Sequence, residues 1–261
     1  MIEILTAARL ARARTSGALV GTILHTLKAR AGVGTNLLEI DRWAREMILG
    51  AGARSCYVDY VPAGFGRGPF GHYICTSVND AVLHGLPHDY ALAEGDLLTL
   101  DLALVLNGVA ADAAISFLVG DASEPESVDL IAATERALAA GIGAAGPGAR
   151  LGDVSHAIGS VLAGAGYLIN MEFGGHGIGS TMHQDPHVPN DGRRGRGYRL
   201  RPGLLLALEP WVMADTDKLI TDPDGWTLRS ATGARTAHSE HTIAITDEGA
   251  DILTLPAELR R

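Results

Sequence analysis

The sequence predicts an α+β fold of two similar halves, with a central antiparallel sheet and helices covering one side. Three observations carry this expectation. Asn107-Gly108 separates two apolar runs, 97–106 and 109–118, and that dipeptide is the strongest short-range signal for a two-residue hairpin turn. Apolar residues recur at helical spacing over 4–29, after Asn36, and over 126–145. A stretch of sequence also returns 114 residues on: Gly32-Val33-Gly34 through Gly50-Ala51-Gly52 aligns without gaps to Gly146-Pro147-Gly148 through Gly164-Ala165-Gly166. Within it Leu37 falls on Leu151, Glu39 on Asp153 and Ile40 on Val154. Chance also produces glycine and alanine matches of this kind. Read as a repeat, they divide one domain into halves of about 1–122 and 123–261.

Each element follows from local signals. Residues 4–29 alternate apolar and basic side chains at helical spacing. Asn36 offers an N-cap, with Glu39 three residues on, to a second helix that stops at Gly50-Ala51-Gly52. The strand over 97–106 is leucine-rich enough to be buried on both faces, and Asp101 interrupts it. An unpaired carboxylate there costs several kcal/mol, and no Lys or Arg lies between Leu97 and Val119. Pairing Leu106 with Val109 puts Ala103 opposite Asp112 and Asp101 opposite Ala114. The two acids then share a face diagonally, about 7–8 Å apart at the backbone. Either they are solvated on a wet face, or a multivalent cation sits between them, in room left by Ala103, Ala110 and Ala114.

In the second half, residues 174–179 are glycine-rich around His176 but fail the dinucleotide fingerprint, because Ser180 stands where the last glycine belongs. A strand over 204–208 ends at Glu209-Pro210, Asp224-Gly225-Trp226 reads as a turn, and 238–245 reads as one strand with Glu240 and Thr242 on one face.

Composition limits the function. Apolar content of 47% and charged content of 20% describe a globular protein. A formal charge of −9 with no basic stripe argues against a nucleic-acid partner, and Arg193-Arg194-Gly195-Arg196 reads as a solvated loop. Cys56 and Cys75 make no disulfide framework, which favours a reducing compartment. Arg9, Arg12 and Arg14 interrupt what a secretion signal would need, and no window of eighteen apolar residues exists. A cytoplasmic protein without a membrane partner is expected.

Asp101, Asp112, His176, Glu209 and Glu240 form a set of four carboxylates and one imidazole. Oxygen-rich sites with one nitrogen suit Mn, Fe or Co better than structural zinc. Five such ligands are enough for two divalent ions about 3.5–4 Å apart. A phosphodiesterase is disfavoured, since no basic group lies near to hold phosphate.

These residues also carry a resemblance. Cys75-Thr76-Ser77-Val78-Asn79, His84-Gly85, Asp101, Asp112, 175–179, His183, Glu209-Pro210 and Glu240-His241-Thr242 together resemble the type I methionine aminopeptidases of peptidase family M24, in order and spacing over nearly the whole chain. The resemblance implies their pseudo-twofold pita-bread fold and a dinuclear metalloaminopeptidase that removes the initiator methionine from peptides and nascent proteins. It implies two ions (Co, Mn, Fe or Zn). Asp101 and the bridging Asp112 hold the second ion, and His176, Glu209 and the bridging Glu240 complete the first. It makes His84 and His183 the catalytic and substrate-contacting imidazoles, and places Phe70, Cys75 and Trp226 around the methionine side chain. A metal-bridging hydroxide would attack the carbonyl, with Glu209 taking the proton and His183 steadying the developing charge. Monomeric action is the family habit.

Several positions depart from the family pattern. Ala103 and Ala113 replace hydroxyl residues, Arg67-Gly68-Pro69 with His72 nearby replaces Tyr-His-Gly, His238 replaces Gln, and Gln184 replaces Glu. Losing partners of ligand carboxylates typically costs about 10–100-fold in metal affinity or rate. Two other readings stand beside the first: a peptidase of the same fold acting on X-Pro or small peptides, and a non-catalytic binding protein.

Overall fold

A computed structural model describes residues 2–62 and 66–259. Helix α1 (Ala7–Arg30) starts at Thr6, whose hydroxyl accepts from the Arg9 amide, and ends with Lys28 and Arg30 in the turn where the helix dipole favours cations. Its buried stripe includes Gly17 and Gly21. A Cβ at either would stand 2.2 or 2.4 Å from the carbonyl oxygens of Leu253 and Thr254, so the glycines admit a crossing backbone.

Helix α2 (Leu37–Gly50) opens as the sequence predicts. The Asn36 side chain accepts from the Leu38 amide at 3.0 Å and donates to Asp89 at 2.8 Å. Glu39 does not close the capping box, because its carboxylate is taken by Arg42 at 3.1 Å. Asn36→Ala is therefore expected to lower stability by about 1 kcal/mol, measured by urea unfolding. An unchanged midpoint would show that water replaces the cap.

Strands β1 (Arg54–Ser55), β2 (Cys75–Val78) and β3 (Ala81–Leu83) lead into the long hairpin of β4 (Leu97–Leu106) and β5 (Val109–Leu118). The hairpin register is the predicted one, with Leu106 opposite Val109, Ala103 opposite Asp112 and Asp101 opposite Ala114. One face, Leu98, Leu100, Leu102 and Leu104 with Ala111, Ala113 and Phe117, packs on α1 and α2. The acids lie on the other.

The second half begins with α3 (Pro125–Ala144) and α4 (Leu151–Gly164). Leu37 to Leu151 and Gly50 to Gly164 are both 114 residues apart, the offset of the sequence repeat. The shared detail extends to the backbone: Gly34 and Gly148 have φ of 84° and 85°, and Gly52 and Gly166 have 71° and 90°. These helices cover Leu206, Leu208, Ile243 and Ile245.

Strands β6 (Gly175–Gly177), β7 (Gln184–Val188), β8 (Leu205–Leu208), β9 (Trp211–Met213), β10 (Leu219–Thr221), β11 (Leu228–Ser230), β12 (Thr236–His238), β13 (His241–Ile245) and β14 (Ala250–Ile252) complete the chain. Among the described residues all strand pairing is antiparallel, in four sheets, of which the largest runs β14-β13-β8-β6-β7. The expected single strand over 238–245 is broken. Ser239 donates to the Pro210 carbonyl at 3.1 Å, and Glu240 then exchanges backbone hydrogen bonds with Ala114 of β5 at 2.9 and 3.4 Å. The Thr242 hydroxyl accepts from the Asp112 amide at 2.9 Å and donates to the Asp112 carbonyl at 2.7 Å. The break lets the segment leave β9, meet β5 at Glu240 and continue along β8. No helix among the described residues is long and apolar enough to cross a membrane.

Candidate active site

The face of the hairpin away from the helices supplies the first acids. Asp101 lies opposite Cys75 of β2 and Ala114 of β5. The Tyr57 hydroxyl reaches both carboxylates, at 2.5 Å from Asp101 Oδ1 and 3.2 Å from Asp112 Oδ1. One phenolic proton thus serves two acids. From the other half, β6 brings His176, the end of β8 brings Glu209, and the break between β12 and β13 brings Glu240. The glycines flanking His176 allow close strand packing: a Cβ at Gly175 would stand 2.2 Å from the Ala207 carbonyl oxygen.

The electrostatics of this cluster are unfavourable for the side chains alone. Burial raises the Asp101 carboxyl to about 6, against hydrogen bonds from Tyr57 and Cys75 that lower it. Burial, then the charges of Asp101 and Glu209, push Asp112 well above the carboxylate range. Burial and Asp101 take Glu209 to about 8, and burial with Asp112, Glu209 and Asp101 raises Glu240 strongly. Among the described residues no Lys or Arg lines the cavity that holds these acids.

The His176 imidazole sharpens the problem. Its Nδ1 donates to the Gly177 carbonyl at 3.0 Å, so in the neutral ring Nε2 presents a lone pair. Nε2 lies 3.6 Å from Glu209 Oε1 and 4.0 Å from Asp112 Oδ2. Burial holds this imidazole down at about 3, so without a cation the contact is relieved only where a raised carboxyl keeps its proton. Glu240 Oε1 is buried with no hydrogen-bond partner. Ligand atoms of Asp112, His176 and Glu240 all lie within 4.8 Å of one another. Acidic oxygens, a neutral nitrogen and an orphaned buried oxygen converging on one point are the donor set of a divalent cation.

A cavity of about 480 Å³ opens beside this cluster. All ten sequence-predicted residues line it: Asp101, Asp112, His176, Glu209, Glu240, His84, His183, Phe70, Cys75 and Trp226. Its apolar recess is built by Tyr57, Phe70, Cys75, Ala103, Met182 and Trp226. Phe70 meets Trp226 edge-on at 5.3 Å and Tyr57 at 5.5 Å. The Asp224 turn fixes Trp226: Asp224 Oδ1 accepts from the Trp226 and Thr227 amides at 2.7 and 2.9 Å. Gly66 at φ 82° leaves room for the indole, since a Cβ there would stand 2.7 Å from the ring. His183 stands exposed at the mouth, its Nδ1 2.7 Å from the Tyr60 hydroxyl and its ring edge-on to His176 at 4.4 Å. His84, at φ 56° after β3, faces Phe173 at 5.9 Å and is held down at about 4 by burial, then by His183.

The departing positions separate clearly. Ala103 belongs to the recess. Ala113 points into the α1–α2 core, away from the acids, so the expected cost of lacking a hydroxyl beside the carboxylates does not arise from this position. His72 pairs with Asp41 at 3.2 Å outside the cavity. His238 is buried behind Glu240, its Nε2 3.9 Å from Glu240 Oε2. Tyr57, Tyr60 and Met182 line the cavity although nothing in the sequence singled them out.

A profile of metallopeptidase family M24 matches residues 11–247. The chain belongs to that family. A methionine aminopeptidase of Clostridium acetobutylicum is 40% identical over 243 residues, covering 93% of this chain and 94% of the relative. Methionine aminopeptidase 1 of Mycobacterium tuberculosis is 42% identical over 249 residues, covering 92% and 90%. The crystal structure of a methionine aminopeptidase from Thermotoga maritima superposes with a TM-score of 0.92 at 33% identity, covering 98% of this chain and all of the other. The architecture is therefore the pita-bread fold, and this M24 metallopeptidase presents ligand atoms suited to divalent metal.

Proposed function

We propose that this chain is a methionine aminopeptidase that removes the initiator residue from peptides and nascent proteins. The observation that carries the reading is a sulfur- and aromatic-lined recess opening directly onto the acid cluster. Cys75, Met182, Phe70 and Trp226 offer a flexible thioether the polarizable contacts it prefers. Relatives bearing that name, aligned over nine-tenths of the chain, support it.

The cluster fits two divalent ions, of Co, Mn, Fe or Zn. Asp101 would hold one, His176 and Glu209 the other, and Asp112 and Glu240 would serve both. Such ions supply an acidified water and polarise the peptide carbonyl. The chain's own groups do the rest. The free amino terminus of the substrate would sit against this cluster, which limits cleavage to a single residue. Glu209 takes the proton released during attack, and His183 donates to the developing oxyanion from the mouth of the cavity. His84, buried beside Phe173, meets the substrate backbone.

One chain carries every one of these groups, so a monomer suffices, and the 261 residues act as one catalytic domain of two related halves, about 1–122 and 123–261. Nascent chains place its work in the cytoplasm. A surface with formal charge −9 suits neither nucleic acid nor an anionic membrane. The test is a panel of Met-Ala, Met-Gly and X-Pro peptides, with metal content measured on the same preparation. Metal-dependent release of methionine is expected. Cleavage confined to X-Pro peptides would replace this reading with the prolidase-like one, and no cleavage by metal-loaded protein would favour a binding role.

A further inference from the structure

The loop that carries His183 is fastened from outside the catalytic cluster. Leu5 is buried with Ile178, Leu205 and Ala244, and its amide donates to the Gly203 carbonyl at 2.8 Å, which fixes the segment ahead of α1 against the sheet. From that segment Glu3 reaches across to the loop between β6 and β7. Its Oε2 accepts from the Ser180 amide at 2.8 Å and from Gln184 Nε2 at 3.0 Å, and its Oε1 accepts from Arg9. Gln184 Nε2 also lies 3.2 Å from Ser180 Oγ. Burial works against the charge on Glu3, but the bonds from Gln184, Ser180 and Arg9 outweigh it and hold the carboxyl at about 2. Gly179 fits the same arrangement, since a Cβ there would stand 2.5 Å from Glu3 Oε2.

Gln184 stands where the type I pattern has Glu. An acid at 184 would set a second carboxylate against Glu3 Oε2, whereas the amide donates to it. The two residues are matched in this chain as acceptor and donor. A side cavity lined by Glu3, Ser180, Thr181 and Gln184 shares His183 with the catalytic cavity, so this fastening lies at the rim where substrate enters. We propose that Glu3 and Gln184 clamp the 179–184 loop and thereby set the His183 imidazole at the mouth of the cavity, which makes both of them positioning residues for turnover. The proposal deepens the function stated above and rests on His183 as a substrate-contacting group.

The experiment compares wild type, Gln184→Glu, Glu3→Gln and the double variant. Three readings are taken on manganese-loaded protein: hydrogen exchange of the Ser180 amide, the NMR resonance of the His183 ring, and kcat and KM on a methionyl peptide. Gln184→Glu should speed the exchange, shift the His183 resonance and lower kcat/KM about 10-fold with manganese content unchanged, since small misplacements of a reacting group are felt strongly. Adding Glu3→Gln removes one of the two facing carboxylates while leaving an oxygen for the Ser180 amide, and should recover part of all three. Losses that simply add in the double variant would overturn the clamp. Restored exchange without restored kcat/KM would overturn the positioning role. The exchange and resonance readings need no substrate, so a wild type inactive on methionyl peptides but showing the rescue would count against the proposed substrate while supporting the clamp.

Discussion

Asp112→Asn is expected to lower kcat/KM by about 10³-fold, or ~4 kcal/mol of transition-state stabilisation, while making the metal-free protein more stable. The two effects share one cause. Asp112 sits at the centre of the acids, bonded to Tyr57, 4.0 Å from His176 Nε2, and burdened by the charges of Asp101 and Glu209. As a proposed shared ligand it is irreplaceable by a neutral amide. Because burial raises its pKa above the unfolded value, folding the empty protein near pH 7 makes this carboxyl take up a proton or bury a charge, and either costs stability. An amide carries no such cost and should add about 1–2 kcal/mol. Thermal melts in chelator, alongside peptide hydrolysis with manganese, read both. A variant that keeps its activity, or that melts earlier than wild type in chelator, would contradict this account of the cluster.

Stripping the metal from the wild type should abolish peptide hydrolysis and lower the melting temperature, and manganese should restore both. Binding only to the folded state at a hundred times the dissociation constant adds about 2.7 kcal/mol, which in a chain of this size is roughly 5–10 °C. The gain should be large because the ion satisfies groups left poorly paired without it: His176 Nε2 at 3.6 Å from Glu209, and the unpartnered Glu240 Oε1. Asp112→Asn and His176→Ala should lose most of this response while keeping their circular dichroism. An equal manganese shift in all three proteins would mean that the ion binds elsewhere.

Much of this site is legible in the chain, and for specific reasons. Asn107-Gly108 fixes the hairpin register, and side-chain alternation then forces Asp101 and Asp112 onto one face. The same alternation turns residue 113 away from the acids, so the hydroxyl that alanine lacks there is not one that faces the carboxylates. The N-cap at Asn36 is visible because its geometry is local, but the capping box is not decided locally, since Arg42 competes for Glu39. The break at Ser239-Glu240 leaves no mark, because 238–242 is polar throughout and carries no glycine or proline to show the backbone changing partner from β9 to β5 and β8. Tyr57 and Tyr60 come from a stretch without regular structure, where neither period nor cap tells which way a ring will point. The recess gathers Phe70, Cys75 and Trp226 from separate segments, and no local pattern ties them together.

The place of the cluster in the molecule has a consequence for its motions. Asp101 and Asp112 stand on one side of the line where Ala114 meets Glu240, and His176, Glu209 and Glu240 on the other. Breathing along that seam and escape of a cation are thereby one coupled event. Whatever pries the two sheets apart weakens the hold on the ion, and by thermodynamic reciprocity the ion resists the prying by the same amount.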